Sequence, residues 1–344
     1  MLTRRETLLV LAACMACAAW PDITTAAAGK SSALTTPWES WKRSFVQDGR
    51  VIDPGQQGIS TSEGQGYGML LATAMRDRAG FDAMWTWTRN NLDVRGDGLY
   101  AWRWTPGQGV TDRNNASDSD LLIAWALVRA AQRFAQPDLL DAARHTAQAI
   151  RSQLLLDTPW GTVLKPAVEG FATPQGQVVN LSYWVFPALP TLAAIDPSPH
   201  WQALTDSGLK LLSIARYGRW QLPPDWLLLV DPLVPDPGRP QRFGFEAVRI
   251  PLYLYWAKLG SPTRYASFKS FWNSFPCRDF LPAWTNLQDD SIDSFGADPG
   301  MRAISTLVQT GKAPQQASPP LAQQTYYSAT LWMLVQIAAS EGST

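Results

Sequence analysis

Histidine and cysteine are scarce in this chain, two and three residues of 344. His145 and His200 have no Cys or second His beside them, which leaves out the common zinc spacings. Two histidines also leave little to build a Ser-His-Asp triad. The chain carries no phosphate-binding loop, no dinucleotide glycine fingerprint and no GxSxG elbow. No metal or cofactor is therefore expected. Charge is sparse too, 17% of residues, and balanced at 29 basic against 29 acidic. Without a basic excess, nucleic acid is not an expected partner. No stretch in the body of the chain has the ~20 apolar residues of a membrane span.

Tryptophan is abundant instead, with 17 residues. Large aromatics mostly build cores. Flat rings combined with little charge also suit carbohydrate, whose pyranose C–H faces stack on them.

The N-terminus reads MLTRRETLLVLAACMACAAWPDITTAAAGK. Arg4 and Arg5, the apolar run from Leu8 to Trp20 and the small residues Ala26 to Ala28 make a secretory leader over residues 1–28. Export to the periplasm or exterior is expected, with one domain over 29–344. Thr3-Arg4-Arg5 suits a twin-arginine route, and Leu11-Ala12-Ala13-Cys14 suits a lipoprotein box. Cys14 and Cys17 fall in the leader, so only Cys277 remains and no internal disulfide can form.

The body reads as mainly helical. Trp38, Trp41 and Phe45 share a face at i, i+3 and i+7. Helices are expected over 66–78, 81–92, 117–134, 138–156, 200–218, 245–259, 264–275, 300–310 and 323–341, with Pro251 starting or kinking its helix. Aromatic, Pro- and Gly-rich loops join them. Ten to twelve helices in hairpins fit a toroid of six hairpins, or an irregular bundle.

With metals and histidine triads set aside, carboxylates are the candidate chemistry. Hydrolysing a glycosidic bond needs one protonated and one ionised carboxyl, separated by burial and hydrogen bonding. Three stretches place acids beside aromatics near helix starts. SEGQGYGM (62–69) carries Glu63 just before a helix, with Tyr67 one turn on, and its glycines would let a substrate approach closely. NNASDSD (114–120) carries Asp118 and Asp120. RFGFEAVRI (242–250) carries Glu246 and Arg249. Each has a plainer reading. Glu63 suits a capping region, the aspartates suit helix caps, and Glu246 with Arg249 suits an i, i+3 ion pair. The residues alone leave these open. Trp102, Trp104, Trp184, Trp220 and Trp226 lie in or near loops, where cleft and core are both open to them.

SEGQGYGM and ASDSDLLIAWALVRAAQRF (116–134) resemble glycoside hydrolase family 8. Its signature around the paired aspartates is met by Ala116, Ser117, Asp118, Asp120, Ile123, Ala124 and Phe134; Ser119 stands where Gly or Ala is usual. GRVIDP (49–54), NNL (90–92), NLSYW (180–184), LPPDW (222–226), EAVRIPLYLYW (246–256) and YYSA (326–329) extend the likeness over the body. The likeness is greatest to the endo-β-1,4-glucanases associated with bacterial cellulose synthesis.

The resemblance implies an all-α (α/α)6 barrel with a cleft across one end, and an inverting endoglucanase acting on β-1,4-glucan as a monomer. It implies Glu63 as general acid and Asp118 as the holder of the sugar at the cleavage subsite. Asp120 would bind substrate or orient the helix start, Tyr183 would hold the attacking water, and Arg249 would position base and sugar. Tyr67, Trp102, Trp104, Trp184 and Trp226 would complete the cleft. The family's usual Tyr-Asp is replaced by Phe245-Glu246. Glu246 as base reaches one methylene further, and Asp225 is the alternative base. A glucan-binding accessory protein of cellulose export, with little turnover, is the second reading; xylan or chitosan as substrate is the third.

Overall fold

The computed structural model describes residues 34–275 and 280–342. The proposed leader (1–28), Cys14, Cys17 and Cys277 lie outside the described residues.

Eleven α-helices occur among them: α1 (Thr35–Phe45), α2 (Ser62–Ala74), α3 (Arg78–Asn91), α4 (Ser117–Phe134), α5 (Leu139–Gln153), α6 (Leu189–Ile195), α7 (Pro199–Ile214), α8 (Arg249–Trp256), α9 (Pro262–Asn273), α10 (Pro299–Thr310) and α11 (Tyr326–Gly342). Three share a start written in the sequence. Ser198-Pro199, Ser261-Pro262 and Asp298-Pro299 place a capping oxygen before a proline at N1, and each side chain accepts a backbone N–H of the first turn. Proline's missing donor costs nothing there.

Two kinds of helix make the two layers. α2, α4, α8 and α11 are buried nearly all round, as inner helices must be. α1, α3, α5, α7 and α9 bury one face. In α1 that face is Trp38, Trp41 and Phe45, as expected. α2 packs on α4, and α8 packs on α10 and α11. α11 returns to α1 and α2 and closes the ring. Trp41 Nε1 donates to Thr330 Oγ1 at 3.1 Å, tying the first helix to the last. The 3₁₀ turn Leu181–Tyr183 touches α4, α7 and α8, filling an inner position between helices. The result is the expected (α/α)6 barrel.

Glycine lets α2 pack closely on its neighbours. A Cβ on Gly66 would lie 2.8 Å from Leu122 Cβ, and one on Gly68 would lie 2.7 Å from Met84 Sδ. The glycines of SEGQGYGM therefore let helices approach each other, rather than let a substrate approach as expected.

Twelve strands of two to four residues join the helices, all paired antiparallel. β1 (Val46–Gln47) and β2 (Arg50–Val51) form a hairpin, as do β6 (Leu155–Thr158) and β7 (Gly161–Leu164). β3 (Ser60–Thr61), β4 (Arg103–Thr105) and β5 (Gly109–Asp112) form a sheet at the start of α2. β8 (Gln177–Val179), β9 (Leu227–Leu229) and β10 (Val234–Pro235) form another, and β11 (Arg242–Phe243) pairs with β12 (Thr285–Asn286). Segments this short carry no readable alternation.

Several boundaries differ from expectation. α2 begins at Ser62, so Glu63 lies inside its first turn and not before it. α8 begins at Arg249, three residues after Glu246. Pro251 is then its third residue, where proline is tolerated. Glu246 consequently sits in the preceding turn, on backbone free to bend. α6, seven residues with Pro190 at its start, was not expected. No helix among the described residues is long and apolar enough to cross a membrane.

Candidate active site

Arg249 is the centre of the site. Its side chain is 3% exposed and reaches three carboxylates. Nη1 donates to Glu63 Oε1 and, at 3.5 Å, to Asp118 Oδ2. Nη2 donates to Glu246 Oε2, and at 3.0 Å to Ser182 Oγ. These partners come from the starts of α2, α4 and α8 and from the inner 3₁₀ turn. Glu63, Asp118, Glu246 and Arg249, singled out from separate stretches of sequence, thus meet around one guanidinium.

Local sequence explains each placement. Thr61, not Glu63, caps α2 by accepting from Gly64 N at 3.0 Å. That leaves the Glu63 carboxyl free for Arg249. At α4 neither aspartate caps: the Ala116 N-cap makes no side-chain bond. The two then diverge. Asp118 Oδ1 takes the Ser119 N–H at 2.8 Å and its Oδ2 faces Arg249. Asp120 turns away. Its two oxygens accept from Tyr100 N (3.0 Å) and Asn115 Nδ2 (2.7 Å), and it is wholly buried. Asp120 therefore holds the loop before α4; its expected contact with substrate is not met. The other expectation for it, orienting the helix start, fits.

Glu246 is held from two sides. Asn180 Nδ2 donates to its Oε2 at 3.2 Å, and Asn180 is fixed by Ser182. Below the turn, Asp225 Oδ1 accepts the backbone N–H groups of Gly244 (2.9 Å), Glu246 (3.2 Å) and Ala247 (2.9 Å), while Arg242 Nε reaches Oδ2. Asp225, 2% exposed with both oxygens engaged, anchors the turn from beneath and is not placed to serve as a base. Tyr327 Oη donates to the Phe245 carbonyl from the other side.

The electrostatics follow from one cation among three acids. If all three carboxyls were ionised, the half-enclosed cluster would carry a net charge of about −2, which low dielectric disfavours. Burial raises the Glu63 pKa; Arg249 opposes the rise and the charge of Glu246 adds to it. Burial, then the charge of Glu63, holds Asp118 well above the usual range. Burial also lifts Asp225 to about 6 and Asp120 to about 7. The site can therefore keep a carboxyl protonated beside one paired with a cation.

Tyr183 stands over this cluster. The Arg249 guanidinium lies 5.8 Å from its ring centre. Burial, then the charges of Asp118 and Glu246, raise its phenol well above the usual value. Trp226 meets Tyr183 edge-on at 5.7 Å and stacks on Phe171 at 5.4 Å. Trp226 is half-buried, and the Arg239 guanidinium lies 4.7 Å from its ring centre.

The remaining expectations divide. Tyr67 is 2% exposed and does not line the surface. Its hydroxyl bonds Tyr253 at 2.7 Å and receives Arg249 Nη1 at 3.3 Å, so it braces the guanidinium from below. Trp184 is wholly buried and donates to the Leu204 carbonyl at 2.9 Å. It belongs to the core, not the cleft, because the residue after the 3₁₀ turn points inward. Trp220 is likewise core, packed on Phe271 and bonded to Ser274. Trp102 is half-buried, and its carbonyl receives the Ser62 N–H at the start of α2. Trp104 is half-buried on β4 and packs edge-on against Trp87 at 5.5 Å.

Sequence reasoning passed over Ser182, Asn180, Tyr253 and Tyr327. Ser182 and Asn180 lie inside NLSYW, one and three residues before the chosen Tyr183. The pattern of polar residues flanking an aromatic was their one signal. No group of side chains able to hold a metal ion occurs among the described residues.

Comparison with known proteins follows the same lines. The family model "Glycosyl hydrolases family 8" matches residues 12–341. A probable endoglucanase of Novacetimonas hansenii is 38% identical over 318 residues, 90% of this chain and 92% of its own. An endoglucanase of Cellulomonas uda is 34% identical, over 79% of this chain and 77% of its own. The structure of the endo-β-1,4-glucanase CMCax from Acetobacter xylinum superposes with a TM-score of 0.85 at 37% identity, covering 91% of this chain and all of that one (100%).

Proposed function

The chain belongs to glycosyl hydrolase family 8, and from that premise we propose that it is an inverting endo-β-1,4-glucanase, a cellulase that cuts internal bonds of cellulose-type glucan. The observation that carries this reading is the guanidinium of Arg249 shared by Glu63, Asp118 and Glu246.

Glu63 is the general acid. Burial favours its protonated form, and it gives that proton to the glycosidic oxygen as the C1–O bond breaks. Glu246, paired with Arg249 Nη2, is the base and takes a proton from the water that attacks C1 from the opposite face. Tyr183 holds that water. One guanidinium lies between the two carboxyls, Nη1 on Glu63 and Nη2 on Glu246. An inverting site needs roughly 6.5–9.5 Å to admit one water. Asp118 holds the sugar at the cleavage subsite. Trp102 and Trp226 stack sugar rings along the cleft.

Phe245 in place of the family's usual Tyr removes a phenol. The longer Glu246 stays on the site's axis because the turn beneath it is pinned by Asp225 and Tyr327. That full set of held acids supports turnover over a binding-only role in cellulose export. The leader-like residues 1–28 support export, and the likeness to enzymes associated with cellulose synthesis supports action on nascent chains beside a synthase complex.

The test is reducing-end release from carboxymethyl cellulose. Wild type is expected to cleave, and Glu63→Gln to lose about 10²–10⁴ in kcat. A silent wild type, or an undiminished Glu63→Gln, overturns the reading.

A further inference from the structure

We propose a second glucan-binding site, remote from the carboxylates, in the recess between the β1–β2 turn and α3, built around Trp87. It rests on the endoglucanase reading above.

The recess is an open cavity of about 430 Å³ lined by Asp48, Thr86, Trp87, Asn90 and Asn91, with Asp82 and Ala83. That is within the range of ordinary ligand clefts, about 300–1,000 Å³. None of its residues contacts Glu63, Asp118, Glu246 or Arg249.

Its walls are fixed rather than loosely apposed. Gly49 lies so close to α3 that a Cβ there would sit 2.3 Å from the Ala83 carbonyl. The buried Gln65 side chain clamps both walls. Its Nε2 donates to Gly49 O on the turn, and to Met84 O and Thr88 Oγ1 on α3. A preformed site loses little entropy when a ligand enters.

The lining chemistry selects a neutral polyhydroxylated ligand. Trp87 is half-buried and held edge-on by Trp104, which leaves an amphipathic ring at the rim. Pyranose C–H faces stack on such rings. Around it, Asp48, Thr86 and Asn90 are exposed and their side chains make no hydrogen bond among the described residues, and Asn91 spends only its amide on Trp87 O. These groups offer donors and acceptors together, as sugar hydroxyls require. The lining has no Lys or Arg, which disfavours phosphate and other anions.

Position names the glucan. Trp104 pairs with Ser60 on β3, two residues before Ser62 and Glu63 at the start of α2. Trp104 and Trp87 thus form a line of rings leading from the acid's end of the barrel to the recess. A second contact on the same polymer raises the effective concentration of chain at the first. The gain appears on insoluble cellulose, where one protein can touch the polymer twice, and not on a short soluble chain.

The experiment compares wild type, Trp87→Ala and Asn90→Ala on cellohexaose and on phosphoric-acid-swollen cellulose, with sedimentation of each protein on the same cellulose. Asn90 is exposed and unbonded, so its variant keeps the fold even if Trp87→Ala unsettles Trp104. Expected is a fall of about three- to tenfold for Trp87→Ala on swollen cellulose, the scale of one aromatic contact, a smaller fall for Asn90→Ala, and unchanged kcat/KM on cellohexaose. Equal rates on both substrates, or equal losses on both, overturn the second site while leaving the hydrolase reading intact. Wild type inactive on both substrates removes the hydrolase reading. Sedimentation then decides the recess by itself: weaker retention of both variants upholds it, and unchanged retention overturns it.

Discussion

Replacing Arg249 with methionine is the sharpest perturbation of the carboxylate cluster. Methionine keeps an apolar stem of similar reach and removes the one cation that Glu63, Asp118 and Glu246 share. Breaking a buried ion pair from one side typically costs about 3–5 kcal/mol, because the partner is left charged without compensation. Three partners are left here, two of them partly solvated at 27% and 30% exposure, so about 3–5 kcal/mol at neutral pH is expected. The cost depends on pH with a definite sign. Glu63 and Asp118 already bind protons more tightly folded than unfolded, and losing Arg249 strengthens that. Groups whose folded pKa is raised stabilise the fold below their unfolded values and lose that contribution as pH rises through the folded value. The variant should therefore lie within about 1 kcal/mol of wild type at pH 4, with most carboxyls protonated in both states, and fall away towards pH 8. Urea unfolding of both proteins at the two pH values measures this directly. An equal deficit at both would refute the shared-cation account of the cluster.

Four further outcomes follow from named contacts. Asp118→Asn should leave thermal stability unchanged or raised, since it removes a carboxylate disfavoured by burial, while lowering kcat at least about a hundredfold; Asp120→Ala should do the reverse, losing about 2–4 kcal/mol in urea unfolding by orphaning Tyr100 N and the Asn115 amide. Gly66→Ala should cost about 1–3 kcal/mol in thermal unfolding, because the new methyl meets Leu122 Cβ at 2.8 Å, against the roughly 1 kcal/mol that alanine otherwise adds to a helix. Tyr327→Phe should lower kcat about tenfold with KM little changed, by freeing the Phe245 carbonyl and loosening the Glu246 turn; a change in KM alone would place Tyr327 against substrate instead.

The parts legible in the sequence were those set by local rules. The bounds of α4 could be read to the residue, because Ser117 opens an amphipathic run that ends at Phe134. The acids of the site were legible by type and by family pattern. Their partition was not. Asp118 and Asp120 differ by two residues on one helix turn, and only the loop carrying Tyr100 and Asn115 decides which is structural. The glycines of α2 were misread because a close helix approach leaves the same mark in sequence as a close ligand approach. Trp184 was misread because it directly follows Tyr183, just past a 3₁₀ turn in which successive residues point about 120° apart. Glu246 lay outside its expected helix because Pro251 fixes where α8 can begin, and that offset frees the turn which Asp225 and Tyr327 then hold.

The stereochemistry of cleavage tests the central claim most directly. Proton NMR of cellohexaose during the first turnovers reads which anomer appears at the newly formed reducing end. The proposed mechanism, with Glu63 and Glu246 on opposite sides of the bond and a water held at Glu246, predicts that the α-anomer appears first and then mutarotates. First appearance of the β-anomer would mean that a carboxylate attacks the sugar itself, and would contradict the assignment of acid and base.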